Sequence, residues 1–389
     1  MKIINAISRV LVGIVFVFSG FVKAIDPLGS TYKFIDYFNA FELSFLESLA
    51  FPLAILLSTL EFVIGISLIF STKKQITAWA VFIFMSFFTV LTLILAIFNP
   101  VSDCGCFGDA IIMTNWQTFW KNIFIMFFTL IIFINRNRFL TKWTEIKQWT
   151  IISISFILIL SLSILSYQHL PLIDFLPYST GTYIPEKMVI PEGAPIAEYE
   201  TTLVYTKNGE SIEVTIDNIP DSTWQWVESK HTLVKKGYQP PIHDFVIQSM
   251  DGEDYTDLIL TDSKFTFLLI AHDLKKTSNK NIEKINQLAE FCKQSGNCNF
   301  ICLTSSLQTD IDEFVQKNNA KYPFFNTDEI TLKTMIRANP GIMLLRRGWI
   351  IKKWNSNDLP DIDFIRENFI NNPKYKQKVD ETNKDEFNV

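Results

Sequence analysis

The chain has 389 residues, 48% of them hydrophobic and 19% charged, with 35 phenylalanines and a formal net charge of −5. A mean hydropathy of +0.20 is too apolar for an ordinary soluble protein, and the acidic balance supplies no basic field for a nucleic-acid partner, which is excluded. The apolar excess lies before about Tyr167, and the chain beyond it reads as soluble α/β.

Five apolar runs approach the ~20 helical residues needed to cross ~30 Å of hydrocarbon: Ile3–Ile25, Leu49–Phe70, Ile76–Phe98, Phe119–Ile134 and Trp149–Tyr167. The fourth is short for a span. The first is too long for the core of a signal peptide and lacks a small-residue cleavage site. With the N-terminus in the cytoplasm, the inner segments carry Lys2, Arg9, Lys73, Lys74, Arg136, Arg138, Lys142 and Lys147. The outer ones carry only Lys23, Lys33 and Lys121, an asymmetry that predicts this orientation. The loop after the third run and everything after the fifth then face an oxidising compartment. Short connections make neighbouring helices antiparallel, so the expected architecture is a four-helix transmembrane bundle plus a fifth tether span in a lipid bilayer.

The loop after the third run reads Asn99-Pro100-Val101-Ser102-Asp103-Cys104-Gly105-Cys106-Phe107-Gly108-Asp109. It places two of the five cysteines around a glycine. No metal site is expected, because a closed zinc site takes about four ligands and neither a histidine nor a third cysteine lies nearby. A purely structural bridge across so small a ring removes little unfolded-state entropy. A redox pair fits better, since Gly105 permits the tight backbone such a ring needs and strained disulfides are the labile ones. The alternative is a staple from either cysteine to Cys292 or Cys298. Asp103 and Asp109 flank the pair and are expected to raise its thiol pKa values.

Glu61 falls within the second run, where an ionisable group normally faces a partner or a cavity. Counted from the inner helix ends it lies roughly 13 Å deep, and Arg9 on the first run roughly 9 Å. A structural Arg9–Glu61 pair is expected, with contact to a proton or a quinone headgroup as the sharper reading of the same two residues. Gly13, Ser19, Gly20 and Gly65 would let the helices approach closely.

The stretch from Arg9 and Gly13 through Phe18-Ser19-Gly20 to Lys23, Asp26-Pro27 and Gly29 resembles the first-helix signature of DoxX/MauE-type bacterial membrane proteins. Glu61, Gly65 and the Cys104-Gly105-Cys106-Phe107-Gly108 loop agree with it over about residues 1–140. The resemblance implies an inner-membrane protein of redox or sulfur metabolism, making extracytoplasmic disulfides or passing electrons to quinone.

After a proline-punctuated linker, two alternating runs, Glu200–Lys207 and Glu210–Ile216, meet at Asn208-Gly209 and predict a β-hairpin. From about Pro240, strands alternate with helices. Strands are expected at His243–Gln248, Phe265–His272, Phe300–Thr304, Gly341–Arg346 and Trp349–Trp354, the last two joined by a tight antiparallel turn. Helices are expected near Ser278–Gln294, Thr309–Asn318, Glu329–Ile336 and Ile362–Phe369. Residues 240–370 resemble the thioredoxin-like family on Pro241-Ile242-His243-Asp244-Phe245, Asp251-Gly252 and Ala338-Asn339-Pro340-Gly341, which implies a cis bond before Pro340. The segment Ala271–Ser278, where that family carries Cys-x-x-Cys, has no cysteine. His272 and Asp273 there read as structural, and Cys302 as a small core residue. The spacing of Cys292 and Cys298 permits a disulfide without requiring one.

The expected organisation is therefore a membrane domain at 1–148, a fifth span at 149–170, linker and hairpin at 171–239, an extracytoplasmic thioredoxin-like α/β domain at 240–370 and a charged tail at 371–389. Cys104 and Cys106 are the expected exchange pair of a thiol-disulfide redox protein. Such a protein would pass electrons between an extracytoplasmic thiol client or partner and a membrane quinone, with Glu61 and Arg9 as the quinone contacts. The rival reading is a non-catalytic envelope component that uses its thioredoxin-like domain as a binding module.

Overall fold

The computed structural model describes residues 2–137, 143–196, 198–207, 210–215, 218–235 and 237–377. Arg138, Lys142, the Asn208-Gly209 turn and most of the charged tail lie outside the described residues. The chain forms two compact units, one of residues 1–182 and 246–389, the other of residues 183–245.

Six helices open the first unit: α1 (Lys2–Ile25), α2 (Pro27–Ala40), α3 (Ala50–Phe70), α4 (Lys74–Phe98), α5 (Asn115–Ile134) and α6 (Glu145–Gln168). Five of them are long and apolar enough to cross a bilayer, all except α2, and the chain is a membrane protein on that ground. The fourth span starts at Asn115, ahead of the predicted Phe119. Thr114 and Gln117 form a reciprocal capping box there, and this polar first turn is invisible to a search for apolar runs.

Two expectations about this region need correction. First, the segment after the first span, for which no apolar run predicts an element, is helical as α2. Asp26 caps it, its Oδ1 accepting from the Gly29 N–H at 2.8 Å, and Pro27 supplies the preset first-turn geometry. Second, α1 and α3 meet in a register that separates Arg9 from Glu61. A Cβ on Gly20 would lie 2.6 Å from Phe62 N and Ser58 O, and one on Gly65 would lie 2.6 Å from Val17 N. Backbone-to-backbone contact therefore sets Glu61 level with residues near 17–20. Arg9 lies beside Ser67, Leu68 and Thr72, about 15 Å from Ser19 along α1. Below the glycine contacts, Val12, Phe16, Leu68, Val81 and Ile125 form the apolar centre of the bundle.

The second unit holds a short helix, α7 (Ile184–Met188), and three strands, β1 (Glu198–Lys207), β2 (Glu210–Thr215) and β3 (Gln225–Lys235). The predicted hairpin pairs antiparallel, with Lys207 opposite Glu210. The sequence reading missed β3, which pairs with the other edge of β1.

The α/β region of the first unit contains α8 (Thr256–Thr261), β4 (Phe265–Ile270), α9 (Ile282–Ser295), β5 (Cys298–Thr304), α10 (Gln308–Asn318), β6 (Phe324–Asn326), α11 (Glu329–Met335), β7 (Gly341–Arg346), β8 (Trp349–Asn355), α12 (Ile362–Ile365) and α13 (Pro373–Gln377). The strand order is β6-β5-β4-β7-β8, parallel from β6 to β4 and antiparallel beyond. All six residues of β4 are buried, as its unbroken apolar run predicts for a strand covered on both faces. The predicted strand at His243–Gln248 does not form, leaving isolated bridges from Gln248 to Asp254 and Asn326. The predicted last helix is interrupted, with a π-turn over Arg366–Ile370. The Asn339–Pro340 peptide is cis.

Candidate functional site: a sulfur pair on an apolar cavity

The loop between α4 and α5 is tied down residue by residue. Asn115 Nδ2 donates to Asn99 Oδ1 and to the Val101 carbonyl, both at 2.8 Å. Asp103 accepts from Lys33 Nζ of α2 at 2.7 Å and from the Gly105 N–H at 2.9 Å. Tyr37 of α2 donates its hydroxyl to the Cys104 carbonyl at 2.7 Å. The Cys106 carbonyl accepts from Ser19 Oγ and Lys23 Nζ of α1, each at 2.7 Å. Gly105 turns the chain between the cysteines at φ +64°, a left-handed conformation that a side chain would resist.

This scaffold sets Cys104 Sγ 2.9 Å from Cys106 Sγ, with Cys104 buried and Cys106 half-buried. Both are free thiols in hydrogen-bonding contact, and no staple joins them to the other cysteines. Cys292 and Cys298 are also free thiols, so the permitted bridge between them is not formed. Cys302 is fully buried in the α/β core.

Glu61 pairs with Lys23, not with Arg9. Lys23 Nζ lies 2.9 and 2.7 Å from the two carboxylate oxygens and also reaches Ser19 Oγ at 2.7 Å. Helical side chains lean towards their own N-termini, so Lys23 reaches back along α1 while Glu61 reaches towards the sulfur end of α3. In the sequence Lys23 figures as an orientation signal and in the first-helix pattern, not as a partner for Glu61. Its position four residues after Ser19 and near the end of a span marks it as the nearer partner for Glu61.

The flanking aspartates also behave differently from expectation. Asp103 is neutralised by Lys33, and Asp109 by Arg337 at 2.8 Å. The hydrogen bond from Cys104 lowers the Cys106 thiol pKa; burial opposes this, and the ammonium groups of Lys121 and Lys23 add to it. The same sulfur–sulfur hydrogen bond, with burial, raises Cys104. The pair is thus polarised, with Cys106 the thiolate-forming partner.

Beside the sulfurs lies a cavity of ≈ 230 Å³ enclosed by α1 to α5. Phe16, Phe34, Phe84, Phe88 and Phe107 dominate its walls, with Lys121 and both cysteines at the sulfur end. Lys121 Nζ stands 4.4 Å from the centre of the Phe107 ring. Phe87, on the same cavity, is 62% exposed, so the cavity opens at the surface of the helices. Glu61 and Lys23 line it; Arg9 does not. Among the described residues no cluster of metal-ligating side chains occurs.

In the α/β region, the segment after β4 that lacks cysteines is held by its own turn. Asp273 Oδ1 accepts from the Lys275 N–H at 3.0 Å, and His272 lies 3.9 Å from Glu329.

Residues 1–135 match the family model described as methylamine utilisation protein MauE. Residues 199–236 match a model for a domain of unknown function. No curated protein matches the chain. Among solved structures, a solution structure described provisionally as a protein disulfide isomerase from Bacteroides thetaiotaomicron is 15% identical. The alignment covers 32% of this chain and 82% of that one, with a TM-score of 0.26.

Proposed function

We propose that this protein is a membrane thiol-disulfide oxidoreductase whose exchange pair is Cys104 and Cys106. The observation that carries the reading is two polarised sulfurs 2.9 Å apart on the wall of an apolar cavity among the membrane-spanning helices. In the oxidised state, a client dithiol transfers two electrons to the Cys104–Cys106 disulfide through a mixed disulfide, leaving the client oxidised and both cysteines as thiols. The reduced pair then passes two electrons and two protons to a lipid-soluble quinone, regenerating its disulfide. An aromatic cavity next to the Cys106 sulfur suits a flat, apolar ring, and Lys121 places a positive charge where negative charge develops. Glu61 retains its proposed role through Lys23, while Arg9 has no place in the cavity. The MauE match over residues 1–135 supports a redox-associated membrane protein.

On this reading the sulfur loop and the thioredoxin-like α/β region face the extracytoplasmic side of a bacterial inner membrane, with the N-terminus in the cytoplasm. One observation favours the non-catalytic envelope reading: the segment after β4 carries no cysteine. A single experiment separates the two. The full chain in lipid nanodiscs is given a dithiol and a short-chain quinone, and quinol formation is followed by absorbance. The oxidoreductase reading expects turnover that disappears in Cys104→Ser and in Cys106→Ser. Equal rates in wild type and both variants would leave the envelope reading standing.

A further inference from the structure

One guanidinium from the α/β region joins the sulfur loop, at Asp109, to the cap of α2, at Asp26. Arg337 sits between α11 and the cis-proline, with its side chain 7% exposed. Its Nε donates to Asp26 Oδ2 and its Nη2 to Asp109 Oδ2, both at 2.8 Å. Nη1 donates to the Lys333 carbonyl. Arg337 and Lys333 also lie over the Tyr32 ring of α2, at 5.4 and 4.8 Å.

Each carboxylate leads to a cysteine. Asp109 is three residues beyond Cys106 in the same loop. Asp26 caps α2, and α2 supplies Lys33 to Asp103 and Tyr37 to the Cys104 carbonyl. Gly29 keeps room for the arrangement, since a Cβ there would meet Asp26 Oδ2 at 2.3 Å and Arg337 Nη2 at 3.0 Å.

Arg337 reaches from a fixed base. The end of β8 and the turn after it are bound to the end of α6, Asn355 Nδ2 donating to the His169 carbonyl at 2.9 Å and Asn357 Nδ2 to the Gln168 carbonyl at 2.7 Å. Lys353 pairs with Asp174 at 2.7 Å. The loop around Pro340 is engaged as well, the Asn339 carbonyl accepting from the Ser278 N–H at 3.1 Å.

We propose that the α/β region is a strut for the sulfur loop and that Arg337 is its positioning residue, holding Cys106 against Lys121 and Lys23. This goes beyond the redox reading, because it concerns thiol geometry whether or not a client is oxidised. The groups facing Cys106 are Cys104 of its own loop, Lys121 of α5, Lys23 of α1, Glu61 of α3 and Tyr37 of α2, with Lys33 of α2 on the same cavity. Removing the clamp loosens the loop and withdraws Cys106 from its two nearest cations.

The test is the pH profile of Cys106 alkylation by iodoacetamide, read by mass spectrometry on the reduced full chain in nanodiscs. Arg337→Gln is expected to raise the midpoint by about one unit, lowering the rate about tenfold at pH 5 and about twofold at pH 7. Arg337→Lys should recover part of both effects, and the exposed Lys352→Gln should match wild type. If Arg337→Gln fails to elute as a folded species, Asp109→Asn replaces it, with an upward shift also expected. A folded Arg337→Gln or Asp109→Asn with the wild-type midpoint and rate overturns the proposal. A wild-type chain that reduces no quinone, together with shifted variant profiles, overturns the redox reading and leaves the strut intact.

Discussion

A single ammonium group joins three parts of the membrane region. Lys23 neutralises Glu61 on α3, touches Ser19 on its own helix and holds the Cys106 carbonyl of the sulfur loop. Both charges are buried, so removing one partner strands the other. Lys23→Met is expected to cost roughly 3–5 kcal/mol, whereas Lys23→Met with Glu61→Leu should regain most of it. Thermal unfolding in detergent checks both, and a Lys23→Met chain as stable as wild type would contradict the assignment. In the α/β region, burial first and Lys333 second push the His272 pKa down to about 4. The unfolded chain takes up that proton near pH 6.5 and the native one only near 4. The neutral-state contribution is thus complete above about pH 6.5 and is lost as pH falls towards 4. It amounts to about 3 kcal/mol. Melting the full chain between pH 7 and 4.5 should show this slope, and His272→Gln should flatten it.

At the scale of elements, the seam between α1 and α3 decides what meets what. Gly20→Ala puts a methyl group into the backbone of residues 58–62 and is expected to cost about 1–3 kcal/mol by overpacking. It should also stretch the Lys23–Glu61 pair. Ile14→Ala, at an exposed position of the same helix, is the control, and detergent-denaturation midpoints provide the comparison. The five spans and β4 were legible because long apolar runs and an unbroken buried strand leave unambiguous patterns. The register of α1 on α3 was not. Depth counted from helix ends put Arg9 and Glu61 within reach, whereas the glycine contacts, which depth counting ignores, place Lys23 there. The helix α2 escaped notice because its polar, aromatic-rich sequence mimics a loop. Asp26-Pro27 was its one clear start signal. The strand β3 escaped although Pro220 and Asp221 form a turn ahead of it, because its own stretch Gln225–Lys235 is polar and charged and carries no apolar run.

At the scale of the molecule, the sequence showed an apolar half, an α/β half and a cysteine pair at the edge of the former. It could not show that the halves meet at that pair, because Arg337 and Asp26 are 311 residues apart in the chain and no local pattern links them. For the same reason the charge of Asp103 and Asp109 was misread, since each has a cation from elsewhere in the fold. The anchors on the sulfur loop also have a kinetic meaning. Its backbone is pinned at the carbonyls of Cys104 and Cys106 and at the carboxylates of Asp103 and Asp109. On the proposed redox reading, opening or closing a Cys104–Cys106 disulfide would fall to rotation of two side chains, while the main chain stays put. Reorganisation on that reading is small, so the oxidation state would turn over quickly and send no mechanical signal to the distant sheet.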